Sequence, residues 1–184
     1  GSMIRVFTCP LPGRDVTLVT VIRSIIAQSL IFHSPIYIST IFRVRVAVTD
    51  CSFVLNTIGP NACSAGIQVE KNDHRGPLSE FETYHWKPAE IFFGRVSFGA
   101  ANILGNCLSM KTSSSAITLL DGVAGDEESV NKMNVVQSRD CQFQCSMDPR
   151  TLKCIPIILA VGPPVKIDLH GRNHIEGILF TSAP

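Results

Sequence analysis

Five cysteine and histidine side chains in the last quarter of the chain are of the types that bind transition metals. Thiolate and imidazole are the usual ligands of Zn²⁺ in structural sites. Cys141 and Cys145 are four residues apart, however, which separates them by roughly 13 Å on an extended strand. Buried or free thiols are therefore the expected state of the cysteines, and disulfides, or a zinc site where the strand breaks, are the alternatives. The five residues are Cys141, Cys145, Cys154, His170 and His174.

Asp168 and His170 are the pair that could perform acid–base chemistry. Residues two apart on a strand point to the same face, so the carboxylate could orient the imidazole as a general base. The sequence offers no matching nucleophile, because it has no Gly-x-Ser-x-Gly motif and Cys63-Ser64 has the surroundings of an ordinary turn. We therefore expect a surface histidine beside a carboxylate, a protein that is not an enzyme, and no cofactor.

Two groups of side chains in the connection from Asn72 to Pro88 could contact a partner. Tyr84, His85 and Trp86 place three rings together, which could stack on bases or dock on another protein. Packing of this loop onto the β domain is the alternative. Asp73 and Arg75 could also pair with each other across a corner, as a salt bridge that stabilises the fold.

The elements that position these side chains are predicted to be mostly strands. From Ile36 onward, apolar and polar residues alternate, and turn residues recur every eight to twelve positions, which is typical of a β-sandwich or barrel. Arg43 and Arg45 alternate with apolar residues and share the solvated face of one strand. Met147–Arg150 has the composition of a turn, so Cys145 and Cys154 are expected on the two strands of a hairpin. No internal repeat is apparent. The predicted strands are 36–49, 52–58, 65–71, 90–98, 101–109, 116–120, 133–145, 153–161, 165–169 and 175–181.

One segment, Asp15–Phe32, is predicted to be an amphipathic helix. Thr17, Thr20, Ser24 and Gln28 recur at spacings of three and four residues and form a polar stripe, and apolar residues cover the rest. Asp15 is the expected N-cap, and Pro35 disfavours continuation of the helix. The helix is expected to pack on one side of a sheet; binding of a partner or a membrane surface is the alternative.

Composition limits the classes of protein that this chain can belong to. Its 184 residues are 45% hydrophobic and 17% charged, which predicts one folded domain over residues 3–184. Gly1-Ser2 has the composition of a cloning scar. The formal net charge of +1 gives no concentrated attraction for nucleic acid. The odd number of cysteines, seven, and the lack of a signal peptide predict an intracellular, reducing location, and no apolar run is long enough for a transmembrane helix.

Three segments occur in an order that points to a known family. Tyr37–Val44 is an apolar leading strand, Gly66–Val69 runs into the motif Asp73-His74-Arg75, and Glu90–Val96 follows the polar loop. This order resembles the core of the plant-virus cell-to-cell movement proteins. The resemblance implies a jelly-roll-like domain, self-association, binding of single-stranded nucleic acid and action at plasmodesmata, with Asp73 as the characteristic aspartate. Together with the reading of the residues themselves, the expected contacts with nucleic acid or a partner are Arg43, Arg45, Asp73, Arg75, Tyr84, His85 and Trp86.

The sequence therefore predicts a mostly β protein, a single jelly-roll-like sandwich or barrel with one N-terminal amphipathic helix. Its expected function is that of a non-enzymatic viral-type structural or transport protein, which forms a homo-oligomer and binds single-stranded nucleic acid or a host or viral protein. A virion or matrix-type structural protein that does not bind nucleic acid is the first alternative. An intracellular zinc-dependent interaction module is the second.

Overall fold

The computed structural model describes residues 4–7, 16–39, 43–59, 62–71, 89–103, 106–107, 112–113, 115–121, 134–148, 151–161 and 165–183. The described residues are mostly β, as the sequence predicts, and they contain no helix. They also contain no helix of the length and hydrophobicity needed to cross a membrane.

The chain passes through the same series of sheets again and again, and each passage forms one coil. Coil 1 comprises β1 (Ile4–Phe7), β2 (Val16–Ile22), β3 (Ile25–Ala27) and β4 (Leu30–Ile31). Coil 2 comprises β5 (Ile36–Ser39), β6 (Arg43–Thr49), β7 (Ser52–Val54) and β8 (Thr57–Ile58). Coil 3 comprises β9 (Ser64–Lys71), β10 (Ala89–Gly94), β11 (Ser97–Phe98) and β12 (Asn102–Ile103).

The later coils continue this path and carry two short hairpins. The first hairpin is β13 (Asn106–Cys107) with β14 (Thr112–Ser113). Coil 4 comprises β15 (Ser115–Asp121), β16 (Asn134–Arg139) and β17 (Gln142–Gln144), followed by the second hairpin, β18 (Ser146–Met147) with β19 (Cys154–Ile155). Coil 5 comprises β20 (Ile158–Val161), β21 (Val165–His170) and β22 (His174–Glu176), and β23 (Phe180–Ala183) begins a further coil.

Equivalent strands of successive coils pair in parallel and build four sheets. Sheet A has the order β1-β5-β9-β15-β20-β23, and sheet B has the order β2-β6-β10-β16-β21. Sheet C contains β3, β7, β11, β17 and β22, and sheet D contains β4, β8 and β12. Every ladder within these four sheets is parallel. The architecture is therefore a β-solenoid, in which each coil contacts mainly the coils before and after it.

The corner between sheets B and C turns through a residue with positive φ in each of the five coils. This corner ladder contains Arg23, Asp50, Arg95, Asp140 and Gly171, with φ from 52° to 69°. Backbone N–H groups of the ladder donate to carbonyls of the next coil, for example from Asp50 to Gly94 at 2.9 Å and from Arg95 to Arg139 at 2.9 Å. Left-handed backbone is uncommon outside glycine, so its recurrence here marks a turn that the coil geometry requires.

Charge also alternates along the corner ladder. The Arg95 guanidinium donates to both carboxylate oxygens of Asp50, at 2.6 and 2.9 Å. These hydrogen bonds, helped by the charges of Arg95 and Arg23, hold the pKa of Asp50 below its ordinary value. In the same way, the neighbouring carboxylates raise the pKa of Arg95. Adjacent coils are thus paired at this corner by opposite charges as well as by backbone hydrogen bonds.

The interior of the solenoid contains a stack of phenylalanine rings. Phe53, Phe98 and Phe143 occupy the same register position in three successive coils. The Phe53 and Phe98 rings are stacked with centroids 5.0 Å apart, the Phe98 and Phe143 rings are stacked at 5.7 Å, and Phe93 meets Phe98 edge-on at 5.4 Å. All four side chains are buried, so Phe98 joins coils 2, 3 and 4 through one apolar contact surface.

The predicted helix over Asp15–Phe32 is wrong for every residue of that segment that the structure describes. Val16–Ile22, Ile25–Ala27 and Leu30–Ile31 are strands. Two coil corners, at Arg23-Ser24 and Gln28-Ser29, supplied polar residues at spacings that imitate a helical stripe. Between the corners, the β-branched residues of β2, such as Val19, Thr20 and Val21, favour extended backbone.

The jelly-roll expectation is also corrected, because a jelly roll is built from antiparallel strands and these sheets are parallel. Alternation along a strand identifies its two faces but does not determine the direction of its neighbour. The predicted leading strand Tyr37–Val44 divides between β5 in sheet A and β6 in sheet B. Finally, an internal repeat does exist, since each coil repeats the same sheet-to-sheet path.

The cysteine pattern differs from the free thiols that we expected. Cys145 and Cys154 form a disulfide that closes the β18–β19 hairpin, and Cys63 is disulfide-bonded as well. The hairpin itself confirms the prediction that a turn joins the strands near these two cysteines. Among the described residues, the free thiols are those of Cys51 and Cys141, and both are buried.

We predict that the central phenylalanine of the stack contributes strongly to stability. Phe98→Ala leaves a cavity between three coils and is expected to lower the free energy of unfolding by about 3–5 kcal/mol. Urea denaturation measures this change. Leu152→Ala is the control, because Leu152 is 75% exposed and the change should stay within about 0.5 kcal/mol. Equal stability of Phe98→Ala and the wild type would contradict this account of the core.

A second prediction concerns the hairpin disulfide. Trypsin cuts after Arg150 and Lys153, so non-reducing digestion should yield peptides 140–150 and 154–166 joined through Cys145. Cys154→Ser should remove this linked species and lower the free energy of unfolding by about 2–3 kcal/mol, as expected for a short closed loop. Reductant should lower the free energy of unfolding more in the wild type than in Cys154→Ser, because the disulfide of Cys63 is common to both proteins. Full alkylation of both cysteines in the unreduced protein would rule the disulfide out.

Candidate functional site

The outer face of sheet B carries a groove of about 560 Å³ that extends over all five strands of the sheet. Residues of opposite orientation on the same strands, such as Val46, Ile91 and Phe93, are buried in the core. The outward residues form rows because the parallel ladders keep them in register. Row 1 contains Leu18, Arg45, Glu90, Val135 and Lys166, and row 2 contains Thr20, Ala47, Phe92, Gln137 and Asp168.

Glu90 lies between two arginines and accepts hydrogen bonds from both. The Arg43 Nε donates to Oε1 at 2.8 Å, the Arg43 Nη2 contacts the same oxygen, and the Arg45 Nε donates to Oε2 at 2.6 Å. Partial burial raises the pKa of Glu90, but the hydrogen bonds and charges of Arg43 and Arg45 together outweigh this effect and lower it. Glu90 is therefore an ionised carboxylate held in place by its partners rather than a proton donor at neutral pH.

The other carboxylate of the face is paired on its own strand. Lys166 Nζ lies 3.1 Å from Asp168 Oδ2, so both charges of β21 within the groove are matched. His170 follows Asp168 by two residues on the same strand, as the sequence predicts, and it is exposed. Its position at the groove end, beyond a carboxylate that already pairs with Lys166, gives no sign of a general-base arrangement.

Phe92 lies over a glycine of its own strand. A Cβ built on Gly94 would come within 3.1 Å of the Phe92 ring and 3.2 Å of Thr49 Cγ2. Gly94 is the next outward residue after Phe92, so its missing side chain makes the space that the ring occupies. The ring is thus held down along the sheet surface, half-buried, with its remaining face toward the groove.

Coil 1 presents a second surface, an apolar band on its outward positions. We define the coil 1 band as Leu18, Ile22, Ile25 and Leu30, whose exposed fractions are 71%, 54%, 75% and 60%. Its residues come from β2, β3 and β4, and each of these strands is an edge strand of its sheet. The band therefore surrounds one end of the described solenoid, over three of its sheets.

The residues predicted as sites are only partly brought together. Arg43 and Arg45 share the solvated face of β6, as expected, and both bind Glu90. Asp73, Arg75, Tyr84, His85 and Trp86 lie outside the described residues.

The suggested zinc set is not assembled in the described part of the chain. No three His, Cys, Asp or Glu side chains converge there in the manner of a metal site. Cys145 and Cys154 bond to each other, and Cys141 is buried, with its thiol 3.3 Å from the Arg139 carbonyl oxygen. Burial raises the pKa of Cys141, which keeps it a thiol.

Sequence reasoning missed Glu90, Phe92, Gly94 and Gln137, and a sequence signal for them exists. The segments Thr49–Phe53, Gly94–Phe98 and Arg139–Phe143 read TDCSF, GRVSF and RDCQF, and they are spaced by 45 residues. The same spacing links Arg45 to Glu90 and Phe92 to Gln137, which are register partners in the sheet. A search of the sequence for repeats of this length would align the face positions of β6, β10 and β16.

Comparison with known proteins identifies no relative. No family model, no curated protein and no solved structure matches this chain.

We predict a pH-dependent role for Glu90. Because its pKa is lowered in the folded state, its ion pairs contribute stability above the unfolded pKa of about 4.3, and that contribution is lost as pH falls through the folded pKa. Glu90→Gln should therefore lower the free energy of unfolding by about 0.5–1 kcal/mol at pH 7, since the pairs are partly exposed. The difference should shrink toward pH 3.

Urea denaturation of both proteins across this pH range measures the effect. Glu176→Gln is the matched control, because Glu176 is an exposed glutamate on β22, in a different sheet from Arg43 and Arg45. A Glu90→Gln difference that grows on acidification would contradict the assignment.

Proposed function

We propose that this chain is a non-enzymatic structural protein that assembles with copies of itself through coil 1. The observation that carries the proposal is the coil 1 band. Exposed apolar patches of this kind, encircled by polar surface, are typical of protein contact sites. An edge strand is a further template for association, and β2, β3 and β4 are all edge strands within the described part of the chain.

The band is specific to coil 1 and is not a general property of the outer surface. Register partners of Leu18 include Arg45, Glu90 and Lys166. At the position of Ile25, the following coils carry Ser52, Ser97, Gln142 and His174. The change from apolar to polar in the same rows therefore occurs between coil 1 and coil 2.

Within the described residues, coil 5 forms the other edge of sheets B and C, and its side chains favour a head-to-head arrangement. The outward side chains of β21 are the charged or polar Lys166, Asp168 and His170, and these would lie beside the band in a head-to-tail stack. Two apolar side chains of the same coil, Leu169 and Ile178, are 45% and 48% exposed, less than any member of the band. A two-fold arrangement instead brings the two bands together and leaves both charged ends in water. Such an isologous contact closes as a dimer and does not propagate into a filament.

The proposed role is non-enzymatic because of the positions and the partners of the two carboxylates on the sheet B face. Glu90 is two strands away from Asp168 and two residues out of register, which places their backbones about 12 Å apart for strand and residue spacings of about 4.8 and 3.3 Å. The carboxyl groups of paired acids that hydrolyse glycosidic bonds lie about 5–10 Å apart across the scissile bond. Here the Glu90 carboxylate is held by Arg43 and Arg45 on the side of β10 that is away from Asp168. Each carboxylate of this face also pairs with a cationic side chain rather than with the other carboxylate.

The proposal includes the viral-type structural role that the resemblance implies, but without direct binding of nucleic acid. Three cations of the sheet B face, Arg43, Arg45 and Lys166, are paired with carboxylates. Binding of single-stranded nucleic acid draws on cations that neutralise phosphates, together with stacking rings. The intracellular location stays a prediction, and the disulfide map bears on it because intracellular thiols are mostly kept reduced.

Light scattering coupled to size-exclusion chromatography tests the assembly. The wild type is expected to elute as a dimer that dissociates on dilution, and Ile25→Lys or Leu30→Lys should yield the monomer because a cation would enter the apolar contact. Leu152→Lys is the matched control: Leu152 is as exposed as Ile25 but lies outside the band. A wild type that is monomeric at high concentration, or equal dissociation by the control, would refute the proposal.

A gel-shift measurement with single-stranded RNA at low salt separates the two structural roles. No shift is expected for the wild type. A shift that weakens steeply as salt is added would instead support the movement-protein interpretation.

A further inference from the structure

We propose that the sheet B face contains a saccharide-binding subsite, in which the Phe92 ring stacks on a sugar and the polar side chains around it bind hydroxyl groups. The ligand class is a neutral oligosaccharide or polysaccharide chain. This site is separate from the assembly role, because Phe92 is on β10 and the coil 1 band is on β2, β3 and β4.

The Phe92 ring has a fixed position on the sheet. Gly94 leaves room for the ring against the sheet, and Thr49 Cγ2 borders the same space. The ring is therefore constrained before any ligand arrives, so stacking on it costs little conformational entropy. The face of an aromatic ring is electronegative, and it attracts the weakly positive C–H bonds of an apolar sugar face.

The immediate neighbours of the ring have the chemistry that hydroxyl groups require. Ala47 and Gln137 are the register partners of Phe92 on the two adjoining strands, each about 4.8 Å away. The small Ala47 leaves a recess beside the ring, and Gln137 offers both a donor and an acceptor. Glu90 and Arg45 lie in the neighbouring row and add an ionised acceptor and further N–H donors. This mixture of one flat apolar surface and bidentate polar groups matches a sugar ring, with its apolar face and hydroxyl edge.

The charges of the groove are balanced within the chain. Among the side chains that line the groove, Arg45 and Lys166 are offset by Glu90 and Asp168. Arg43 borders the groove and shares the Glu90 carboxylate with Arg45, so each of these cations already contacts a carboxylate. A polyanion would have to displace carboxylates from their cations, whereas hydroxyl groups can bind to the paired groups without separating them. The charge balance therefore favours a neutral ligand over nucleic acid or an acidic polymer.

The length of the face suits a chain of sugars rather than a single one. Five strands at about 4.8 Å spacing give the face a span of roughly 19 Å along the solenoid. A groove of about 560 Å³ over this span has room for several sugar units. The chain would lie across the strands, along the rows, with Phe92 near the middle of the site.

Native gel electrophoresis through hydroxyethylcellulose, galactomannan, xylan or glycogen tests the inference. At least one of these neutral polymers should retard the wild type, and isothermal titration with the matching oligosaccharide gives the affinity. Phe92→Ala should weaken binding roughly tenfold, the upper range for an aromatic contact. Gly94→Ala keeps the ring but should also weaken binding, because its Cβ displaces the ring from the sheet.

Matched variants separate recognition from folding and from assembly. Gln137→Ala should weaken binding, whereas Gln142→Ala, an exposed glutamine on sheet C, should not. Unfolding temperatures of all variants report their folding, and Ile25→Lys should bind saccharide as the wild type does. The same gels with polygalacturonate or poly(U) test the acidic polymers. The inference is overturned if no neutral polymer retards the protein or if retardation survives Phe92→Ala. It is also overturned if only an acidic polymer retards the protein and added salt abolishes the effect.

Discussion

In-register stacking of parallel coils is the constraint on which every surface of this protein depends. At the corner ladder, Asp50 and Arg95 hold neighbouring coils together through backbone hydrogen bonds and a two-point ion pair. A shift of one residue at such a corner would turn Val46 outward and Arg45 into the core. Because the rows of sheet B draw on segments 27 to 45 residues apart, the groove exists only while this register holds.

Local pattern alone predicted the part of the fold that depends on side-chain alternation. Val44, Val46 and Val48 are buried and Arg43 and Arg45 face solvent, as expected for a strand with two unlike faces. The direction of pairing was not accessible in the same way, since a parallel and an antiparallel neighbour impose the same alternation. The hairpin at Cys145 and Cys154 was predictable because its turn residues are local.

The repeat was hidden because the coils differ in length and in corner chemistry. Asp50, Arg95 and Asp140 are 45 residues apart, but Arg23 precedes Asp50 by only 27 and Gly171 follows Asp140 by 31. Opposite charges also occupy equivalent corners, so the pairing that stabilises the stack makes adjacent coils look dissimilar. For the same reason Glu90 escaped notice: its role as the shared partner of Arg43 and Arg45 arises only when coil 3 lies on coil 2.

The two candidate surfaces follow from the geometry of a solenoid, which has long lateral faces and two ends. Lateral residues have neighbours on both sides, so charges such as Glu90 can be matched within the chain, and the face suits an uncharged ligand. Among the described residues, those of coil 1 pair with a coil on one side only, so apolar side chains there would gain most from a second copy. Leu18 belongs to both surfaces, because it lies in row 1 and in the band. A two-fold contact at coil 1 would therefore cover the Leu18 end of row 1, and the subsite at Phe92, two strands away on β10, would stay open.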